Sequence, residues 1–175
     1  MNFRFDALLG MDALKRWSWC LDRDAGTAIA SENFHEDQDI SWIPLEFDFR
    51  PPTLHLDDGT EATLDTGGKL SYRIGPAPTN AVGESLDWGV VFGKFKSKLW
   101  VGSLGLGGWD IPLCFGSLPD DGLDHVQLWG KTRWVVGSDI LRHVQVTLDF
   151  PRHRLGIHPL RSTRDLKRRM AVTHE

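Results

Sequence analysis

Cysteine is scarce: Cys20 and Cys114 are the two in the 175-residue chain. Two thiols cannot build a disulfide framework, and their spacing fits no zinc motif. Their apolar neighbours predict plain buried residues. A large charge of either sign is also missing. The formal net charge of −4 leaves no basic face for nucleic acid, so no nucleic-acid partner is expected. Only RSTRDLKRRM is locally basic, and residues 161–175 read as a solvated basic tail. No apolar run is long enough for a membrane span. The first residues lack the apolar core and cleavage signal of a secretory peptide, which places the chain in the cytoplasm if Met1 is the true start.

The usual marks of metal and phosphate chemistry are absent too. The seven histidines are scattered, and none forms H-E-x-x-H. HEDQD at 35–39 and DDGLDH at 120–125 gather oxygen ligands, but without the spacing of a calcium loop, and read as acidic surface loops. GLGG at 105–108 is followed by no Gly-Lys-Ser/Thr, so it is not a phosphate loop. No serine or cysteine occupies a nucleophile elbow. Neither a metal nor a cofactor is expected.

What the chain does contain is a repeat. Residues 8–30, LLGMDALKRWSWCLDRDAGTAIA, align without a gap on residues 135–157, VVGSDILRHVQVTLDFPRHRLGI. Gly10 falls on Gly137, Asp12 on Asp139, Leu14 on Leu141, Leu21 on Leu148 and Asp22 on Asp149. In each copy an apolar pair and a glycine end a strand. An aspartate suited to capping follows, then a short helix, DALKRW or DILRHV. An alternating strand comes next, WSWCLD or VQVTLD, then a turn and a second short strand.

The segment between the copies reads as β-structure. TLHLDDGTEATLD is a hairpin signal around Asp58-Gly59. DWGVVFGKFKSKLWVGSLGLGGWDIPLCFGSL reads as short strands broken at Gly93, Gly102 and Gly107-Gly108, with Trp88, Trp100 and Trp109 as core or sheet-face residues. RIGPAPTNAVGES reads as a loop, and ASENFHEDQDISWIP, polar and closed by proline, as a linker. The division that follows is a partial unit at 1–30, a linker at 31–45, a domain at 46–160 and the tail at 161–175.

ATLDTGGKLSYRI carries the chemistry: Ala62-Thr63-Leu64 delivers an aspartate into a tight turn of Thr66, Gly67 and Gly68. Asp-Thr-Gly alone can be an ordinary turn. The order around it says more: the hairpin LHLDDGTEATL, then D-T-G, then VVFGKFKSKLW, the strand pair SLGLGGWDIPLCFGSLPDD, and finally WVVGSDILRHVQVTLDFPRHRLGI. Over residues 46–160 this resembles the retropepsin-like aspartic proteases, and LLGMDALKRW at 8–17 matches that family's helix-start motif more closely still.

The resemblance implies an all-β fold, an acid-protease barrel with one short helix per unit. It implies an aspartic endopeptidase that hydrolyses extended peptides through an aspartate pair, one from each chain or lobe. In such a pair two nearby carboxylates share a proton, so one acts as base and the other as acid. Asp65 is then the catalytic carboxylate. Thr66 and Gly67 support its loop, the threonine by bracing the loops beneath the pair and the glycine by close approach and a donated N–H. Gly93, Lys94 and Phe95 belong to the substrate-binding flap, and VVG at 135–137 passes behind the loop. The implied partners are a peptide or protein substrate and either a second copy, with Asp65 facing Asp65, or a missing second lobe. Three features depart from the pattern. Gly68 replaces the usual small side chain after D-T-G, Lys69 follows it, and residues 1–30 supply a helix and last hairpin with no D-T-G before them. These keep open a catalytically silent module for peptide binding or dimerisation. Lys69 is expected to point to solvent, and Asp12 and Asp139 to cap their helices.

Overall fold

The computed structural model describes residues 11–32, 39–47, 51–75, 78–89, 93–118 and 132–160. The tail at 161–175, the acidic stretch 120–125 and most of 35–39 lie outside the described residues. The chain is mostly β-sheet, as expected. A single turn of α-helix, α1 (Met11–Leu14), precedes β1 (Ser18–Asp22), β2 (Thr27–Ser31) and β3 (Ser41–Pro44). Then come β4 (Thr53–His55), β5 (Glu61–Leu64), β6 (Tyr72–Ile74), β7 (Gly83–Gly89), β8 (Gly93–Leu106), β9 (Trp109–Leu118) and β10 (Trp134–Val136). A 3₁₀ helix at Ser138–Arg142 leads to β11 (Val144–Asp149), and a second at Phe150–Arg152 to β12 (Arg154–Pro159). Among the described residues the second short helix is thus 3₁₀ and not α.

Two sheets form. One has the order β2-β1-β11-β12-β3 and the other β4-β5-β10-β6-β9-β8-β7. Ile43, Leu155 and Ile157 from the first sheet share one core cluster with Leu64, Phe115 and Val136 from the second. Strands inside each sheet, β11 and β12 in the first and β5 and β10 in the second, are buried at nearly every position. The Asp58-Gly59 hairpin forms between β4 and β5. Gly59 has φ 80°, a conformation that glycine adopts without a steric cost, and Asp58 Oδ1 accepts the Thr60 N–H at 2.8 Å.

The linker expected at 31–45 is not one throughout. Ser41–Pro44 is β3, antiparallel to β12, with Trp42 opposite Gly156. A Cβ on Gly156 would lie 2.8 Å from Ile40 Cγ2 and 2.9 Å from the Trp42 ring, so a bare glycine makes room for the strand. The Arg154 guanidinium then sits 3.8 Å from the Trp42 ring centroid. Trp100 is buried and Trp109 partly buried, whereas Trp88 stands 59 % exposed on a strand face. The cysteines are free and only partly buried, so the expected burial is incomplete.

Asp149, at the end of β11, has no exposed surface. It accepts hydrogen bonds from Ser18 Oγ at 2.7 Å, Arg154 Nε at 2.8 Å and Arg152 Nη1 at 3.1 Å. Burial pushes its pKa up, but the donors Ser18, Arg154 and Arg152 outweigh burial and hold it below the ordinary carboxylate value. A depressed folded-state pKa contributes stability that is present above the unfolded value of about 3.9 and fades as pH falls through the folded value. Denaturation curves of wild type and Asp149→Asn are therefore expected to differ most near neutral pH and to converge below about pH 4. A gap that is constant with pH would remove the ionised carboxylate from this account.

Candidate active site

Asp65 sits in the turn that follows β5. That turn is held from behind by β10, which runs parallel to β5 with Val136 opposite Leu64. The Asp65 N–H donates to Val136 O at 2.9 Å, and the Gly68 N–H closes the turn on Asp65 O at 2.9 Å. The Ser138 N–H and its hydroxyl both donate to Gly68 O at 2.8 Å. The Gly67 N–H donates to Asp65 Oδ1 at 3.0 Å. A Cβ at Gly67 would come 3.2 Å from that same oxygen. Asp65 is half-buried, Thr66 and Gly67 are exposed, and Lys69 is exposed as expected. Among the described residues no basic side chain pairs with Asp65, and the Thr66 hydroxyl makes no hydrogen bond. At Gly68 a Cβ would lie 3.6 Å from Asp65 Oδ2, so the glycine leaves the outer oxygen without a side-chain neighbour at this position.

Asp139 does not cap its helix. The 3₁₀ helix has Gly137 at its N-cap and no side-chain capping bond. The buried Asp139 carboxylate instead reaches across 68 residues to Ser71, accepting its N–H at Oδ2 (2.9 Å) and its hydroxyl at Oδ1 (2.7 Å). The same hydroxyl oxygen accepts the Gly137 N–H at 3.0 Å. An uncompensated buried carboxylate is costly, and this one finds its donors in the segment that leaves the D-T-G turn. Asp12, the repeat equivalent, lies exposed in the first turn of α1. Ser71 and Ser138 were not visible as site residues in the sequence. Their partners are distant along the chain, and no local pattern marks either hydroxyl.

The expected flap is the hairpin β7–β8, which closes where Gly89 pairs with Gly93. Residues 90–92 lie outside the described residues. Gly93 has φ 64°, as a tight return requires. Phe95 faces the interior and lies 6.2 Å from the Tyr72 ring, beside a small cluster of Tyr72, Ile74, Leu118 and Val135. Lys94 alternates to the other side, exposed opposite Trp88. Phe95 alone of the three expected flap residues is thus brought over that cluster.

Tyr72 O–H donates to Asp87 Oδ2, which latches β7 to the strand leaving the D-T-G turn. Burial pushes the Tyr72 phenol well above its ordinary pKa. The bond to Asp87, the Asp87 charge and the charges of Asp139 and Asp65 add to the effect. Tyr72→Phe keeps the ring and removes the latch. It is expected to speed amide hydrogen exchange across Gly83–Gly89 by about tenfold to a hundredfold, the worth of one bond to a charged acceptor. Unchanged exchange there would show that the latch does not hold the hairpin.

Among the described residues no group of three or more His, Cys, Asp or Glu could hold a metal ion. No helix among them is long and apolar enough to cross a membrane. No protein-family model matches the chain, and no curated protein matches it.

Proposed function

We propose that the chain is an aspartic-type peptidase unit of retropepsin-like architecture, in which Asp65 is one carboxylate of a catalytic pair. The observation that carries the proposal is the state of the Asp65 loop. It is braced from behind by Val136, Ser138 and the Ser71–Asp139 network. Its front presents a half-exposed carboxylate with no cationic partner among the described residues and a threonine hydroxyl with no hydrogen bond. Here one oxygen takes the Gly67 N–H, while the other has no hydrogen bond among the described residues.

In this reading a second carboxyl group faces Asp65 and a water lies between them. One carboxylate takes a proton from the water as its oxygen attacks the scissile carbonyl carbon. The other carboxyl then protonates the amide nitrogen as the C–N bond breaks. An extended peptide would lie between the loop and the β7–β8 hairpin, with the cluster around Tyr72, Val135 and Phe95 as an apolar wall. The acid-protease barrel and the substrate class belong to the same proposal.

The test is digestion of a library of extended peptides by the protein purified in its native assembly. Internal cleavage at defined sites is the expected result. Retention of peptides without any cleavage would instead favour the silent peptide-binding module and overturn the enzymatic reading.

A further inference from the structure

The gapless alignment that places Gly10 on Gly137 also places Cys20 on Thr147, Ser18 on Gln145 and Asp22 on Asp149. In the first sheet β1 and β11 are antiparallel, and Cys20 pairs with Thr147. Where a residue pairs with its own repeat equivalent, a local two-fold axis passes through the pair. The neighbouring side chains obey the same rotation. Ser18 Oγ donates to Asp149 Oδ1 at 2.7 Å, and its image is present, because Gln145 Nε2 donates to Asp22 Oδ2 at 3.3 Å. The turns agree as well. Gly26 has φ 65° and its equivalent His153 has φ 51°, the one non-glycine residue with positive φ among those described. Under this rotation β2 is the image of β12.

One strand has no image among the described residues. β3 lies along the outer edge of β12, with Ile43 against Leu155 and Trp42 against Gly156. The rotated position is the outer edge of β2, where no strand pairs among the described residues. Four of the five β2 residues are exposed, and Ile29 is 59 % exposed. A strand edge with no neighbouring strand among the described residues is a template for a further strand.

We infer that β1 and β2 fill, within the chain, the seat that β11 and β12 of a second copy would take, and that the outer edge of β2 receives a strand from a unit of this same fold. That unit, and not a second Asp65 brought in through β11, supplies the carboxylate opposite Asp65. The role of that carboxylate rests on the proposed function; the seat and the edge rest on sheet register alone.

Thr147→Cys in a Cys114→Ser background tests the seat. Opposed residues of an antiparallel pair have Cα atoms about 4.5–5.5 Å apart, within reach of a disulfide. Position 147 lies on the axis, so in a pairing between copies it would meet itself. Mild oxidation is expected to give a monomer in which Cys20 is bonded to the introduced thiol, identified by non-reducing electrophoresis and peptide mapping. A dimer bonded through the introduced thiols of two copies, or no bond to position 147, would overturn the inference.

Ile29→Lys tests the edge, because an edge lysine resists strand addition at a position already open to solvent. In the native assembly it is expected to speed exchange of the β2 amides at least about tenfold. Unchanged exchange would overturn the edge assignment. Neither readout depends on catalysis. An assembly that cleaves no peptide therefore counts against the proposed function while leaving the disulfide and exchange results to decide this inference.

Discussion

Asp65→Asn is expected to abolish peptide cleavage by the native assembly while leaving the fold in place. Asparagine has the size of aspartate, and its amide oxygen can still accept the Gly67 N–H now found 3.0 Å from Asp65 Oδ1. The bond from the Asp65 N–H to Val136 O and the closure of the turn by the Gly68 N–H involve backbone only, so they survive the change. What is lost, in the proposed reaction, is the ability to take a proton from water. Positioned acid–base groups contribute about 10²–10⁴-fold to rate, and kcat/KM is expected to fall by at least that range. Stability is expected to stay within about 0.5 kcal/mol of wild type, as for other changes at half-exposed sites outside the core. Cleavage that survives the substitution would remove Asp65 from the chemistry.

Gly137→Ala is expected to do the opposite, destroying the site by destroying its support. The backbone at Gly137 is extended, with φ −89° and ψ −176°, so alanine suffers no conformational strain there. The obstacle is space. A Cβ would lie 2.1 Å from Leu70 O, 2.5 Å from Leu70 C and 3.0 Å from Gly68 O. All three are backbone atoms and cannot rotate aside. β10 cannot retreat easily, because β5 holds it on one edge and β6 on the other. Nor can the loop, because Ser71 is fastened to Asp139 two residues beyond the substituted glycine. Overpacking a core commonly costs about 1–3 kcal/mol, and a clash with two fixed backbones belongs at or above the top of that range. Urea denaturation is the measurement. Gly83→Ala is the control, since a Cβ there meets nothing within 4 Å, and it is expected to change stability by less than about 0.5 kcal/mol. Equal stabilities for the two variants would contradict the close passage of β10 behind the loop.

What could be read from the sequence was local or repeated. The Asp58-Gly59 turn announces itself in neighbouring residues, and the β4–β5 hairpin forms around it. The D-T-G turn follows β5 as expected, and Gly67 donates to Asp65. The repeat was visible because two short segments share a pattern, and the structure gives both a helical turn followed by two strands. What stayed hidden depends on residues far apart in the chain. β3 has only four residues and ends in proline, so its strand character comes from β12, from the room left at Gly156 and from Arg154 above Trp42. Asp139 looked like a cap because it follows a glycine at a helix start, but its carboxylate found a better donor pair in Ser71. Trp88, expected in the core or on a sheet face, takes the sheet face. Three lysines at 94, 96 and 98 share its exposed side.

The central claim is that peptide hydrolysis here runs through a pair of acids, one of which is Asp65. Pepstatin, a peptide-like inhibitor of aspartic proteases, tests it most directly when titrated into the native assembly during cleavage of a fluorogenic peptide. The account predicts complete inhibition at saturation, and no pepstatin binding by the Asp65→Asn assembly. Cleavage that continues at saturating pepstatin would contradict it.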